Sequence, residues 1–304
     1  MIPQVFSRAG SLAVAGLVAA SALMAAPAVP ADTAYRIELT TNIKEKPYKF
    51  FITTEPVAAS CAMEFSVKKG GENDEVSLQS MHDTWKTTAM NLEKTVTPDK
   101  VVYINNKTES TPWVKGQANK KDKLGEEVNP LQVFDRPIAF LSPDGRGIPV
   151  VIRNPDTWVR FSKNFGFGKT LLLHRPTLPA GELKAGQSFT VEQEVPDPTY
   201  SEVPWTVQVQ WTVDSVTGKG DDAVATLSGA AASTRDRVTS RKGRLTDGTV
   251  SLTSQVKLRV KDGQVLSAVS EVEARWKKDP ADAPSGVMDY TGVARLRETL
   301  LEKK

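Results

Sequence analysis

The sequence predicts a mainly β protein: antiparallel sheets in two similar halves, packed as one curved sheet or as sandwich-like layers, with little helix beyond an N-terminal apolar segment. Apolar and polar residues alternate along much of the chain, and a period of two marks strands with one buried and one solvated face. The clearest run is Trp205, Val207, Val209, Trp211 and Val213, interleaved with Thr206, Gln208, Gln210 and Thr212. Short Gly-containing turns such as Asp262-Gly263 separate these runs, as tight antiparallel hairpins require. Helical stretches of the length that parallel βαβ units need are missing. At 304 residues the chain is long enough for one large β domain or two smaller ones.

The N-terminus reads as an export signal. Met1 to Arg8 carries one positive side chain, and residues 9–26 form an uncharged Ala/Leu/Val-rich stretch followed by Pro27. Ala26-Pro27-Ala28 and Val29-Pro30-Ala31 both fit the small-x-small rule, so cleavage is expected after 28 or 31 and residues 1–28 form the signal. Gly and Ser dilute the stretch and no basic stop-transfer flank follows, which argues against a transmembrane anchor. Cys61 lies too far downstream for a lipoprotein cysteine and reads as a strand residue in the alternation Cys61, Met63, Phe65, Val67. The expected product is an exported bacterial protein, periplasmic or extracellular, without a membrane anchor in its mature chain.

Residues 29–153 form the first β half. Tyr35, Ile37 and Leu39 alternate, then Tyr48, Phe50 and Ile52, and residues 61–67, 75–80 and 100–104 continue the pattern. Ile138–Leu141 and Ile148–Ile152 flank Ser142-Pro143-Asp144-Gly145 as a hairpin. From Asn105 to Pro137 the chain is polar and without period, which predicts a long loop anchored on the body by Trp113. Residues 154–186, rich in Pro and Gly, are the connector. Within it Asp156-Thr157 would cap a short helix bearing Trp158, Phe161 and Phe165 and ended by Gly166.

Residues 187–304 form the second β half. Phe189, Val191 and Val195 mark one strand, and Ala223, Ala225 and Leu227 another. Val250, Leu252, Ser254, Val256, Leu258 and Val260 lead into the Asp262-Gly263 turn, with Leu266, Ala268, Val272, Ala274 and Trp276 returning. At the C-terminus Met288, Tyr290, Ala294, Leu296 and Leu300 alternate as a strand, whereas Val293, Leu296, Leu300 and Leu301 would stripe a helix. The antiparallel neighbours favour the strand. Phe140–Arg146 resembles Leu258–Gln264, each a strand–turn–strand late in its half. An internal duplication would produce this, and so would chance likeness between two hairpins.

The run Leu178-Pro179-Ala180-Gly181-Glu182-Leu183-Lys184-Ala185-Gly186-Gln187-Ser188-Phe189 resembles a connector in exported bacterial β-rich proteins of unknown function. In those, a Pro-containing stretch and a Gly lead into the first strand of a second, similar half. The resemblance implies an architecture and no catalytic residue.

Composition narrows the chemistry. A net charge of +3 from 39 Lys+Arg and 36 Asp+Glu is nearly balanced, so no nucleic acid partner is expected. One cysteine excludes an internal disulfide framework, and His82 and His174 stand in no zinc spacing, so no metal is expected. Gly166-Phe167-Gly168-Lys169-Thr170 ends like a phosphate loop, but Lys163 stands where the motif wants glycine, and no cofactor is expected. His82 and Asp83 are adjacent on a strand and point to opposite faces, which leaves no triad. Glu271 and Glu273 share a strand face and read as solvated surface.

The most distinctive charged patch is Arg235, Arg237, Arg241, Lys242 and Arg244, with Asp236 alone among them. Such a loop could meet phosphates, sulfated sugars or anionic lipid heads. The plainer reading, a solvated connection between Leu227 and Val250, is favoured. The function expected is therefore non-catalytic: an exported envelope protein with a binding or interaction role. Its partner would be an apolar or lipid ligand on a curved sheet, or another envelope protein met through loops. The alternative is a cell-envelope hydrolase of glycans or esters, whose carboxylates the fold would assemble.

Overall fold

The computed structural model describes residues 33–47, 57–68, 73–86, 91–117, 120–121, 127–135, 137–141, 149–152, 171, 173–199, 205–240, 243–279, 281 and 288–301. The signal segment, the 48–52 alternation, the Ser142–Gly145 turn, the helix expected near 156–166, the Gly166–Thr170 run and the cations Arg241 and Lys242 lie outside them.

The alternating runs fold into two meanders. β1 (Thr33–Pro47), β2 (Val57–Lys68), β3 (Asp74–Lys86), β4 (Asn91–Val96), β5 (Lys100–Asn105) and β6 (Thr108–Val114) pair in succession. Two small pairs follow: β7 (Lys120–Lys121) with β8 (Glu127–Val128), and β9 (Ala139–Leu141) with β10 (Pro149–Ile152). The second meander is β11 (Ser188–Val195), β12 (Trp205–Thr217), β13 (Val224–Ser240), β14 (Gly243–Arg259), β15 (Val265–Lys278) and β16 (Met288–Leu301). Every pairing is antiparallel. Among the described residues helix is limited to the 3-10 turns Pro130–Asp135 and Gly220–Asp222 and to residues 171, 173 and 281.

The meanders form one sheet. β16 pairs with β1 from Ala34 opposite Leu301 to Pro47 opposite Met288, so the strand order runs β11 to β16, then β1 to β6. With β9 and β10 attached, the sheet has fourteen strands. It forks at β3, where a register shift places Glu64 opposite Ser80 and Phe65 opposite Leu78, leaving Gln79 as a bulge. Beyond the fork, Asp74–Val76 pair with β9 and Met81–Lys86 pair with β4.

Each main strand turns its apolar parity to one side, the inner face, where Ile37, Met63, Phe65, Val209, Trp211, Val256, Val272 and Ala294 are all inaccessible to water. Trp205 on β12 and Trp276 on β15 reach over the two strands between them and meet with ring centroids 5.0 Å apart. Chain segments join this core: Leu171, Leu173, His174 and Leu183 are buried, as is the turn Pro196–Thr199.

The loop expected over 105–137 is partly strand. β6 lies within it, closed onto β5 by the two-residue turn Asn106-Lys107, both with positive φ (46° and 76°). Such left-handed pairs match the twist of a hairpin. Thr108–Thr111 are exposed on both sides of an edge strand, so no alternation marked them. Trp113 is buried, as expected, but from β6. The C-terminal segment is the strand β16. The Asp262-Gly263 turn closes β14 onto β15, with Gly263 at φ 62° and the Asp262 side chain accepting from Gln264 N–H at 3.1 Å.

Candidate functional site

A cleft of about 640 Å³ opens on the polar face, over β15, β16, β1, β2 and β3. Cross-strand register builds it from two parallel rows. One row runs Glu271, Arg295, Thr40, Ser60, Thr84, each residue opposite the next. The adjacent row runs Glu273, Val293, Asn42, Ala58, Lys86. The middle of each row is small, and longer charged side chains stand at the β15–β16 end of both rows and, as Lys86, at the β3 end of the second, so side-chain length alone makes a trough. Four strand spacings make it about 19 Å from wall to wall.

The floor is hydroxyl, amide and methyl, with Ser60 Oγ and Thr84 Oγ1 2.7 Å apart. On the β15 wall the charges are already paired: Arg295 Nε donates to Glu271 at 2.5 Å, and Arg275 to Glu273 at 2.6 Å. On the opposite wall Lys86 is exposed. Among the described residues Glu273 is the carboxylate that lines the cleft, and Glu271 stands beside it on the same strand. A pair of acids facing each other across the cleft, as in glycan hydrolases, is not seen among the described residues. Sequence reading had Glu271 and Glu273 on one solvated face, and that is where they lie.

The inner face hides three polar clusters that sequence reading missed. In the first, Glu298 on β16 is fully buried, paired through both carboxylate oxygens with Arg175 and bonded by His174 Nδ1 at 3.0 Å. Burial pushes the Glu298 carboxyl up, but the Arg175 charge and the bonds from His174 and Arg175 outweigh it and hold it down to about 2. Arg175 also lies over the Tyr35 ring at 5.6 Å. This cluster ties His174 and Arg175 to the inside of β16 and β1.

The second cluster is a ladder row: Cys61, Asp83, Lys94 and Tyr103, each opposite the next on β2 to β5. Asp83 and Lys94 are buried. Burial raises the Asp83 carboxyl, against a hydrogen bond with Cys61 and the Lys94 charge, and lowers the Lys94 ammonium. His82, next in sequence, is exposed and bonds Thr95 at 2.9 Å, on the other face. In the third cluster Asp197 accepts from Thr199 N–H and hydroxyl at 2.7 and 2.5 Å, and from the indoles of Trp205 and Trp276 at 2.8 and 2.7 Å. All three have one sequence signal in common, a charge set among apolar neighbours: Asp83 and Lys94 among buried strand positions, Glu298 after Leu296, Asp197 between two prolines.

Of the basic patch, Arg235, Arg237 and Arg244 lie on the paired strands β13 and β14, each of seventeen residues. Arg235 stacks on Trp205 at 4.8 Å. Arg237 and Arg244 both reach Asp279, at 3.5 and 3.6 Å. The structure thus sends the three described cations to two different places. Among the described residues no group of three or more His, Cys, Asp or Glu could hold a metal ion, and no helix is long and apolar enough to cross a membrane.

No family model matches the chain, and no curated protein matches it. Likeness to solved structures is slight. A lipovitellin chain, from work on lipid–protein interactions in lipovitellin, is 10% identical with a TM-score of 0.37 over 90% of this chain. This chain spans 25% of the length of that one. A chain from work on asymmetric conductivity of engineered proteins is 9% identical with a TM-score of 0.15, covering 88% of this chain and 98% of that one.

Proposed function

We propose that this is a non-catalytic, exported protein of the bacterial cell envelope that binds a polar ligand or the polar segment of a partner in the trough between Lys86 and Glu273. The carrying observation is the trough itself: a depression of about 640 Å³ with uncharged hydrogen-bonding groups on its floor and a cation on one wall. An extended molecule lying across the strands would meet hydroxyls and an amide along its length and place an anionic group beside Lys86. Export rests on the composition of residues 1–31.

A second reading puts an apolar or lipid ligand against the inner face of the sheet. What favours it is the apolar surface between the three polar clusters of that face, covered by residues 173–183 and 196–199 that an acyl chain would have to displace. Native mass spectrometry of protein purified from the envelope fraction separates the two. The trough reading expects a bound species that Ala58→Trp, which fills the floor without touching the core, removes. A lipid that survives Ala58→Trp supports the second reading, and a clean apo mass contradicts both. The same spectrum should show a chain starting at residue 29 or 32, and a chain starting at Met1 contradicts export.

A further inference from the structure

The trough is patterned as well as shaped. One of its rows, Arg295, Thr40, Ser60 and Thr84, offers a hydrogen-bonding group on every strand from β16 to β3. The parallel row does not. From β15 it runs Glu273, Val293, Asn42, Ala58 and Lys86, so polar and apolar side chains alternate strand by strand. Asn42 and Lys86 thus stand two strands apart, about 10 Å, with the methyl of Ala58 between them. The charges at the two ends of this row differ. Glu273 is held by Arg275, whereas Lys86 is exposed and pairs with no carboxylate among the described residues. Glu93, across from Thr84 on β4, is met by the Asn91 amide at 3.5 Å. The Ser60–Thr84 hydroxyl pair uses one hydrogen and leaves the other to donate outward.

A ligand that fits both rows needs a donor–acceptor group at every strand spacing of about 4.8 Å and an acidic substituent only at every second one. An extended peptide advances about 3.3 Å per residue and falls out of step with the strands. An extended β-1,4-linked sugar chain advances by about one strand spacing per ring, and its hydroxyls both donate and accept. Successive rings are turned over, so substituents on alternate rings leave by the same edge, two rings apart. We propose, resting on the trough reading above, that the ligand is a β-1,4-linked oligosaccharide with a carboxylate on every second sugar, seated one ring per strand from β16 to β3. Its hydroxyls lie along Arg295, Thr40, Ser60 and Thr84. One carboxylate meets Lys86 and the preceding one meets the Asn42 amide, while Ala58 and Val293 face the unsubstituted rings. At the next polar position Glu273 would repel a third carboxylate, which ends the run at about four rings.

Calorimetric titration of the mature chain with a tetrasaccharide of alternating N-acetylglucosamine and N-acetylmuramic acid tests this, beside neutral chitotetraose and an acidic pentapeptide. The acidic sugar should bind about tenfold more tightly than the neutral one, and added salt should shrink that gap. Lys86→Gln should abolish the gap. In that background Asn42→Lys, two strands away, should restore it, and Ala58→Lys, one strand away, should not. Equal binding of the two sugars overturns the proposal, as does recovery with Ala58→Lys as full as with Asn42→Lys. Binding of the pentapeptide alone, lost in Ala58→Trp, overturns it too but leaves the trough reading standing. Binding of none of the three overturns both.

Discussion

Glu298 sits on the inner parity of β16, two residues past Leu296, where water does not reach it. An unpaired carboxylate there would be prohibitively costly, so its pairing with Arg175 and His174 holds those two residues against the strand. Its folded pKa is depressed from 4.5 to about 2. The stability it contributes is fully present above the unfolded pKa and is lost as pH falls through the folded one, between about 4.5 and 2. The shift corresponds to about 3 kcal/mol. Urea unfolding from pH 7 to pH 2 should show Glu298→Gln less stable than wild type at neutral pH, with the difference shrinking towards pH 2. A constant difference contradicts the assignment. At this scale the sequence reading fell short for a definite reason: a charged side chain in an alternating run does not reveal its partner. Arg175 lies 123 positions away, in a segment with no period of its own.

At the scale of the element, backbone exceptions hold the large aromatics. In β14, Asp247 adopts φ 48° and the pairing with β15 shifts between Thr246 and Thr249. The bulge brings Gly248 under the Trp276 ring, where an added Cβ would stand 2.2 Å from the nearest ring carbon. Only glycine admits that approach, and it sets the indole N–H towards Asp197. Gly248→Ala should therefore cost between about 1 and 3 kcal/mol by overpacking and reduce the near-ultraviolet indole circular dichroism. Unchanged stability and signal would contradict this packing. The long strands β12, β14 and β15 were legible because one side of each is wholly buried. β6 was not, because an edge strand exposed on both faces has no contrast to read. Nor was the trough, whose rows join residues from five strands through register alone.

For the whole molecule, the junction of β1 with β16 turns two meanders into one sheet, so the first and last strands of the described chain lie at its middle. That arrangement gives the sheet two unlike sides. The inner side is closed by the chain's own residues, and the polar side is open where Ala58, Ser60 and Thr40 form the floor of the trough. Cys61 is the one cysteine in the sequence and is 3% exposed on the inner side, three residues from the exposed Ala58 on the other. The rate of thiol labelling under native conditions reads this difference directly. Cys61 should react only as fast as the protein unfolds, whereas Ala58→Cys in a Cys61→Ser background should react at the rate of an open thiol. Rapid labelling of Cys61 in the folded protein, or protection of the cysteine at position 58 with no ligand added, would contradict it.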